Sequence, residues 1–144
     1  MPSTEPVAIA VTRWSDSAAE LAEIRRRVFI DEQGVPEAME WDGLDDQAVH
    51  VLATHQGRPV ACGRLLADGH IGRMAVLPAW RGRGIGRAML DTLLQVARQT
   101  QASRVFLNAQ TSAVGFYEKA GFQCEGDEFM DAGIPHCQMI RSLS

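Results

Sequence analysis

Cysteine is scarce in this chain and has no pairing pattern. Cys62, Cys124 and Cys137 are an odd set with no Cys-x-x-Cys spacing. That argues against a disulfide scaffold and against a structural zinc site, so no metal is expected and the thiols are expected reduced and buried. No apolar run approaches the roughly 20 residues of a membrane span, so no membrane partner is expected. The opening Met1-Pro2-Ser3-Thr4-Glu5-Pro6 lacks the basic-then-apolar layout of a secretory signal, and the expected location is cytoplasmic. Cations are not in excess either: the net charge is −4, which counts against general nucleic-acid binding. Aromatics are few, and Tyr117 is the one tyrosine.

A chain of 144 residues, 46% hydrophobic and 22% charged, fits a single domain over residues 1–144 with a real core. Val7, Ile9 and Val11 alternate with small residues and predict a first strand. Ser15-Asp16-Ser17 is expected to cap a helix from about Ala18 to Phe29, broken by Gly34-Val35-Pro36. Residues 31–47 read as an irregular loop, long enough to suggest function. A meander follows: strands over Val49–Thr54, Pro59–Leu66 and Ile71–Leu77, with Asp68-Gly69 as a hairpin turn. Ile85, Met89, Leu93 and Ala97 share one face of a helix running from Gly84 to about Gln99. Then come a strand over Arg104–Asn108, a short helix capped by Thr111 or Ser112 and stopped by Gly121, and a closing hairpin over Phe122–Met130 and Ile134–Ile140. This order predicts an α/β (α+β) domain: a single mixed, mostly antiparallel central sheet flanked by helices.

The densest signal is Arg81-Gly82-Arg83-Gly84-Ile85-Gly86, where a strand hands over to a helix. Glycines let backbone approach a ligand, and a helix start offers free N–H groups and positive potential. Together with Arg87 they form an anion cradle suited to a phosphate or pyrophosphate. A nucleoside-triphosphate loop needs Gly-Lys-Ser/Thr, but Gly86 is followed by Arg87-Ala88. A dinucleotide fingerprint needs a differently placed third glycine and an acid about 20 residues on, and no Asp or Glu lies between Asp91 and Glu118.

Arg81-x-x-Gly84-x-Gly86, after a strand ending Met74-Ala75-Val76-Leu77-Pro78, resembles the acetyl-CoA motif of the GNAT acyltransferase superfamily, Gln/Arg-x-x-Gly-x-Gly/Ala. Ala113-Val114-Gly115-Phe116-Tyr117-Glu118-Lys119-Ala120-Gly121-Phe122 resembles the second signature of that superfamily. The resemblance extends over nearly the whole chain and implies the GNAT acyl-CoA N-acyltransferase fold, in which the fourth and fifth strands splay around a pantetheine arm. It implies acetyl-CoA as co-substrate. By the same resemblance, backbone groups of Met74, Ala75 and Val76 hold the arm. N–H groups from Arg81 through Gly82, Arg83, Gly84, Ile85 and Gly86 to Arg87 hold the pyrophosphate, with the three arginines adding charge. Asn108 and Gln110, after the fifth strand, are candidates to touch the acetyl or pantetheine amides, with neutral polar surface as the alternative, and Phe116 and Tyr117 lie beside the ligand. Tyr117 is implied to protonate the departing thiolate; a core tyrosine packed beside Phe116 and Phe122 is the alternative.

An N-acetyltransferase of this kind transfers the acetyl group to a primary amine of a small molecule by direct attack, and a homodimer is open. An amine near pKa 10.4 is about one part in 10³ neutral at pH 7, so a base is needed. Glu32, Glu40, His50 and His136 are candidates, with Glu32 and His136 placed by the resemblance near the acceptor mouth. Glu32 has the alternative of pairing with an arginine, and a lone histidine on a strand that of a hydrogen-bonded structural residue. Asp31, Glu32, Glu37, Glu40, Asp42, Asp45 and Asp46 have no Lys or Arg among them; facing the site, they would favour a cationic amine and neutralising Glu32 and Glu40 would raise the acceptor KM, and otherwise they are solvated surface. Val28-Phe29-Ile30-Asp31-Glu32-Gln33-Gly34-Val35-Pro36 and the late Gly133-Ile134-Pro135-His136 resemble a bacterial subgroup of predicted acetyltransferases. The cysteines are not needed as nucleophiles, although a ping-pong route stays open. A competing reading is a GNAT-fold acyl-CoA sensor or partner-binding module with little turnover.

Overall fold

The structure, a computed structural model, describes residues 7–143. Strands β1 (Ala8–Thr12), β2 (Val49–His55), β3 (Arg58–Leu65) and β4 (Ile71–Val76) form an antiparallel sheet in that order. Strands β5 (Arg104–Gln110), β6 (Gln123–Asp131) and β7 (Ile134–Ser142) form a second antiparallel sheet with β7 in the middle. Period-two alternation decides which helix each strand residue meets. Val51, Ala53 and Ala61 point into the core cluster of helix α3 (Ile85–Gln99), which buries Met89, Leu90, Leu93 and Leu94. Their neighbours Leu52 and Cys62 point the other way, to Leu21 and Ile24 of helix α1 (Trp14–Arg25). Burying each such leucine is worth about 1.5–3 kcal/mol, so the two helices clamp the first sheet from both faces. No helix among the described residues is long and apolar enough to cross a membrane.

The expected single sheet is parted between β4 and β5. The two sheets touch there through one parallel bridge, His70 to Phe106, and the Phe106 N–H donates to Gly69 O at 3.0 Å. Gly69 makes the approach possible: its φ is +92°, and a Cβ on it would lie 2.8 Å from Arg104 O. The strands meet at this end and diverge toward Val76 and Gln110, leaving a cleft between them.

β4 is also bent. Arg73, not a glycine, has φ +51°, and the β3–β4 register shifts between Cys62 and Arg64. Opposite this bulge stands Gly63, where a Cβ would meet Met74 Sδ at 2.5 Å.

Local details differ from the sequence reading. α1 starts at Trp14, behind an extended Arg13, rather than after Ser17; Ser17 is itself non-helical (φ −135°) and its hydroxyl meets Thr12 Oγ1 at 2.7 Å. The helix does not run on as α-helix to Phe29. It widens into a π-helical segment, Arg26–Glu32, and the Gln33 N–H donates to Val28 O at 3.2 Å. Within the loop, Glu37–Glu40 form a single turn, α2. Helix α4 (Val114–Lys119) follows a 3₁₀ turn and has no side-chain cap from Thr111 or Ser112. β5 extends two residues past Asn108, to Gln110.

Candidate active site

The cleft between β4 and β5 encloses about 400 Å³. Met74, Ala75 and Val76 line one side, Asn108 and Gln110 the other, and Tyr117 reaches in from α4. Its far end is closed by Val28 and Phe29 of the π-helical segment and by Ile134 and His136 of β7. The wider π turn is what brings Val28, Phe29 and Gln33 to this wall. Gln110 Nε2 donates to Gln33 Oε1 at 2.7 Å, tying the segment to β5.

The cradle is built as the glycine spacing suggests. Gly82 and Gly84 have φ +77° and +80°, with open space where a Cβ would stand. Gly84 precedes α3 in a left-handed conformation, and no side chain caps the helix start. The first-turn N–H groups of Ile85, Gly86 and Arg87 therefore have no intrahelical acceptor. A Cβ on Gly86 would lie 3.4 Å from Phe116 Cζ, so the two motifs pack directly on one another.

The three arginines are already engaged. Arg81 Nε donates to Val76 O at 2.9 Å, and its two Nη atoms donate to Glu32 at 2.8 and 2.7 Å. Arg83 stacks on Trp80 at 4.7 Å and donates to Ala79 O. Arg87 donates to Asp91 and to Lys119 O. All three remain exposed enough to keep their charge around the cradle.

Tyr117 sits edge-on to Phe116 at 5.0 Å and to Phe122 at 5.9 Å. Burial pushes its phenol up to about 12, so it stays protonated through the neutral range. His136 stacks on Phe129 at 5.8 Å, and its Nδ1 lies 2.7 Å from Ile134 O. A carbonyl can only accept, so Nδ1 is the donor in this contact, and in the neutral ring Nε2 holds the lone pair.

The other candidate bases are committed elsewhere. The hydrogen bond from Arg81 holds the Glu32 carboxyl below its usual range, and Glu32 does not line the cleft. His50 is buried with Nε2 3.0 Å from Asp45 O, and its pKa is lowered by burial.

Glu40 belongs to a buried ion network that the sequence reading did not foresee. Arg25 donates from Nε to Glu40 at 2.8 Å and from Nη1 to Asp45 at 2.6 Å. Arg64 donates to Asp42 at 2.8 Å and to Asp45 at 3.1 Å. Arg73 Nε lies 3.0 Å from Glu40, and Nη2 lies 3.3 Å from Asp42. Three guanidiniums thus face three carboxylates, and Arg26 takes Glu37 at 2.6 Å. Glu32, Glu37, Glu40, Asp42 and Asp45 are thus paired with arginines, so most of the acidic stretch anchors the fold and is not a free anionic surface. Arg73, which falls among the cradle cations in sequence, turns away to this network. The available signal was a set of arginines at inward-facing positions of apolar patterns, Arg25 next to Ile24 in α1, Arg64 before Leu65 in β3 and Arg73 within Ile71–Val76 of β4.

Residues 12–143 match the family profile described as acetyltransferase (GNAT) domain. The chain is 39% identical over 122 residues to YjcF of Bacillus subtilis, described as an uncharacterized N-acetyltransferase, covering 82% of this chain and 87% of that one. Among solved structures, an acyl-CoA N-acyltransferase from Pseudomonas aeruginosa superposes with TM-score 0.85 at 30% identity, covering 95% of this chain and 100% of that one. Escherichia coli ElaA superposes with TM-score 0.85 at 27% identity, covering 94% and 99%. With a splayed-strand cleft, a glycine cradle and these relatives, the chain belongs to the GNAT acetyltransferase family and is an acetyl-CoA-dependent N-acetyltransferase.

Proposed function

We propose that this acetyltransferase passes the acetyl group directly to the primary amine of a small molecule, with His136 as general base and Tyr117 as general acid. The observation that carries this reading is the placement of both groups on one cleft: His136 with Nδ1 against Ile134 O, which leaves Nε2 as the acceptor of the neutral ring, and Tyr117 with its phenol pushed up by burial. Acetyl-CoA supplies an acyl thioester whose thiolate leaves when an amine attacks. The cradle fits its pyrophosphate, because the uncapped N–H groups of Ile85, Gly86 and Arg87 and the charges of Arg81 and Arg83 converge there. The exposed edges of Met74 and Val76 and the Asn108 amide would hold its arm.

The acceptor enters as an ammonium ion and must lose a proton before attack. His136 Nε2 takes that proton. The imidazolium is steadied because Nδ1–H already donates to Ile134 O. Tyr117 donates its phenolic proton to the sulfur as the C–S bond breaks, and the second proton that the nitrogen loses as the amide forms returns to the phenolate directly or through solvent. Glu32 is assigned to holding Arg81 instead of to proton transfer, since a carboxylate in a two-point hydrogen bond with a guanidinium is a weak base. The proposed setting is the cytoplasm, supported by cysteines without a pairing pattern.

The test couples thiol release from acetyl-CoA with mass-spectrometric identification of acetyl on the acceptor nitrogen. His136→Ala is expected to lower kcat by about 10²-fold or more while calorimetric CoA binding persists. An alanine variant with full kcat overturns the base assignment.

A further inference from the structure

We propose that the acceptor is a monoamine on an apolar body, an alkylamine or arylalkylamine, whose ammonium is met by Asp131 before deprotonation at His136. This rests on the transferase reading and names the acceptor class that the same cleft selects.

Opposite β7, Val28, Phe29, Val35 and Met39 give the cleft an apolar surface that Ile134 of β7 extends, interrupted by Gln33, which is tied to Gln110, and by Glu40. The carboxylates nearest that wall are not available to a second positive charge. Glu40 is held by Arg25 and Arg73, and Asp42 by Arg64 and Arg73. Asp131 is the exception. It lines the cleft, and no arginine or lysine pairs with it among the described residues.

The hairpin places Asp131 with the base. Asp131 pairs with Ile134, and Phe129 pairs with His136. Residues two apart on a strand share a face, so Phe129, Asp131, Ile134 and His136 present one surface: a carboxylate, an imidazole and apolar flanks. One ammonium is satisfied there. A second ammonium farther along the chain would lie against apolar wall without a counter-charge. An acceptor carboxylate close to the amine would meet repulsion from Asp131.

Calorimetry on CoA-saturated protein with hexylamine, hexamethylenediamine and 2-aminohexanoate, whose carboxylate adjoins the amine, tests this, with thiol release from acetyl-CoA followed on the same amines. Hexylamine is expected to bind at least about tenfold tighter than the other two, and affinity is expected to rise about fourfold per methylene from butylamine to hexylamine. Asp131→Asn is expected to weaken hexylamine about threefold to fivefold and to leave CoA affinity unchanged. A diamine or amino acid binding as tightly as hexylamine overturns the proposal, as does an Asp131→Asn variant with unchanged hexylamine affinity. Hexylamine that binds without thiol release overturns the transferase mechanism instead and leaves the acceptor-class assignment standing.

Discussion

Arg81 donates both Nη groups to Glu32, 49 residues earlier in the chain, at 2.8 and 2.7 Å. One guanidinium thereby joins the end of the π-helical segment to the end of β4, whose Val76 carbonyl takes its Nε. The pair is exposed, so its net stability contribution is about 0–1 kcal/mol. Its electrostatic effect is larger in meaning: Glu32 offsets a positive charge beside a site for a polyanion. Glu32→Gln is therefore expected to lower the acetyl-CoA KM about twofold to fivefold at low salt, with the gain shrinking at high salt. A hundredfold loss of kcat instead would return Glu32 to the role of general base. Steady-state kinetics at two ionic strengths read both outcomes.

Tyr117→Phe removes one oxygen from a packed aromatic cluster and changes little else. We expect kcat to fall about 10²-fold and the CoA dissociation constant to stay within about twofold. Because burial holds the wild-type phenol near 12, wild-type kcat should show no basic limb attributable to Tyr117 up to about pH 10. A Phe variant with undiminished kcat would sink the acid role.

Glu40 is buried between two arginines. Glu40→Ala leaves the Arg25 and Arg73 charges short of a partner in a dry setting, which is expected to cost about 3–5 kcal/mol. Urea unfolding measures it. A loss below about 1 kcal/mol would mean that the network is dispensable to the fold.

Asp42 links that network to acid stability. Burial pushes its carboxyl up, but hydrogen bonds from Arg64 and the Leu44 N–H, with the charges of Arg64 and Arg73, outweigh burial and bring it from 3.8 to about 2. A depressed carboxylate stabilises the fold above its unfolded value and stops doing so below its folded one. The stabilisation, about 1 kcal/mol after solvent screening, is thus complete above pH 3.8 and fades between there and about pH 2. Melting temperature against pH should fall across that window, and less steeply in Asp42→Asn. Identical slopes would contradict the assignment.

What could be read from sequence was local. The Asp68-Gly69 turn, the apolar face of α3 and the Gly82–Gly84 cradle each follow from residues a few positions apart, and each stands as the spacing implies. What could not be read was long-range. Arg25 finds Asp45 across 20 residues and Arg64 finds Asp42 across 22, so an acidic run that looks free in one dimension has most of its carboxylates paired in three. The π-helical widening has the same origin, since no propensity distinguishes Arg26–Glu32 from ordinary helix. The left-handed Arg73 is held by side-chain partners at Glu40 and Asp42, which strand patterning does not reveal. His136 was legible as a residue, while its free Nε2 followed only once Ile134 O was placed against Nδ1.

The central claim is direct transfer from acetyl-CoA to an amine within one cleft that holds both. Initial rates of thiol release across a grid of acetyl-CoA and hexylamine concentrations test it most directly. Intersecting double-reciprocal lines are predicted, because both substrates must be bound before the acetyl group moves. Parallel lines would contradict the account and point to an acetylated enzyme.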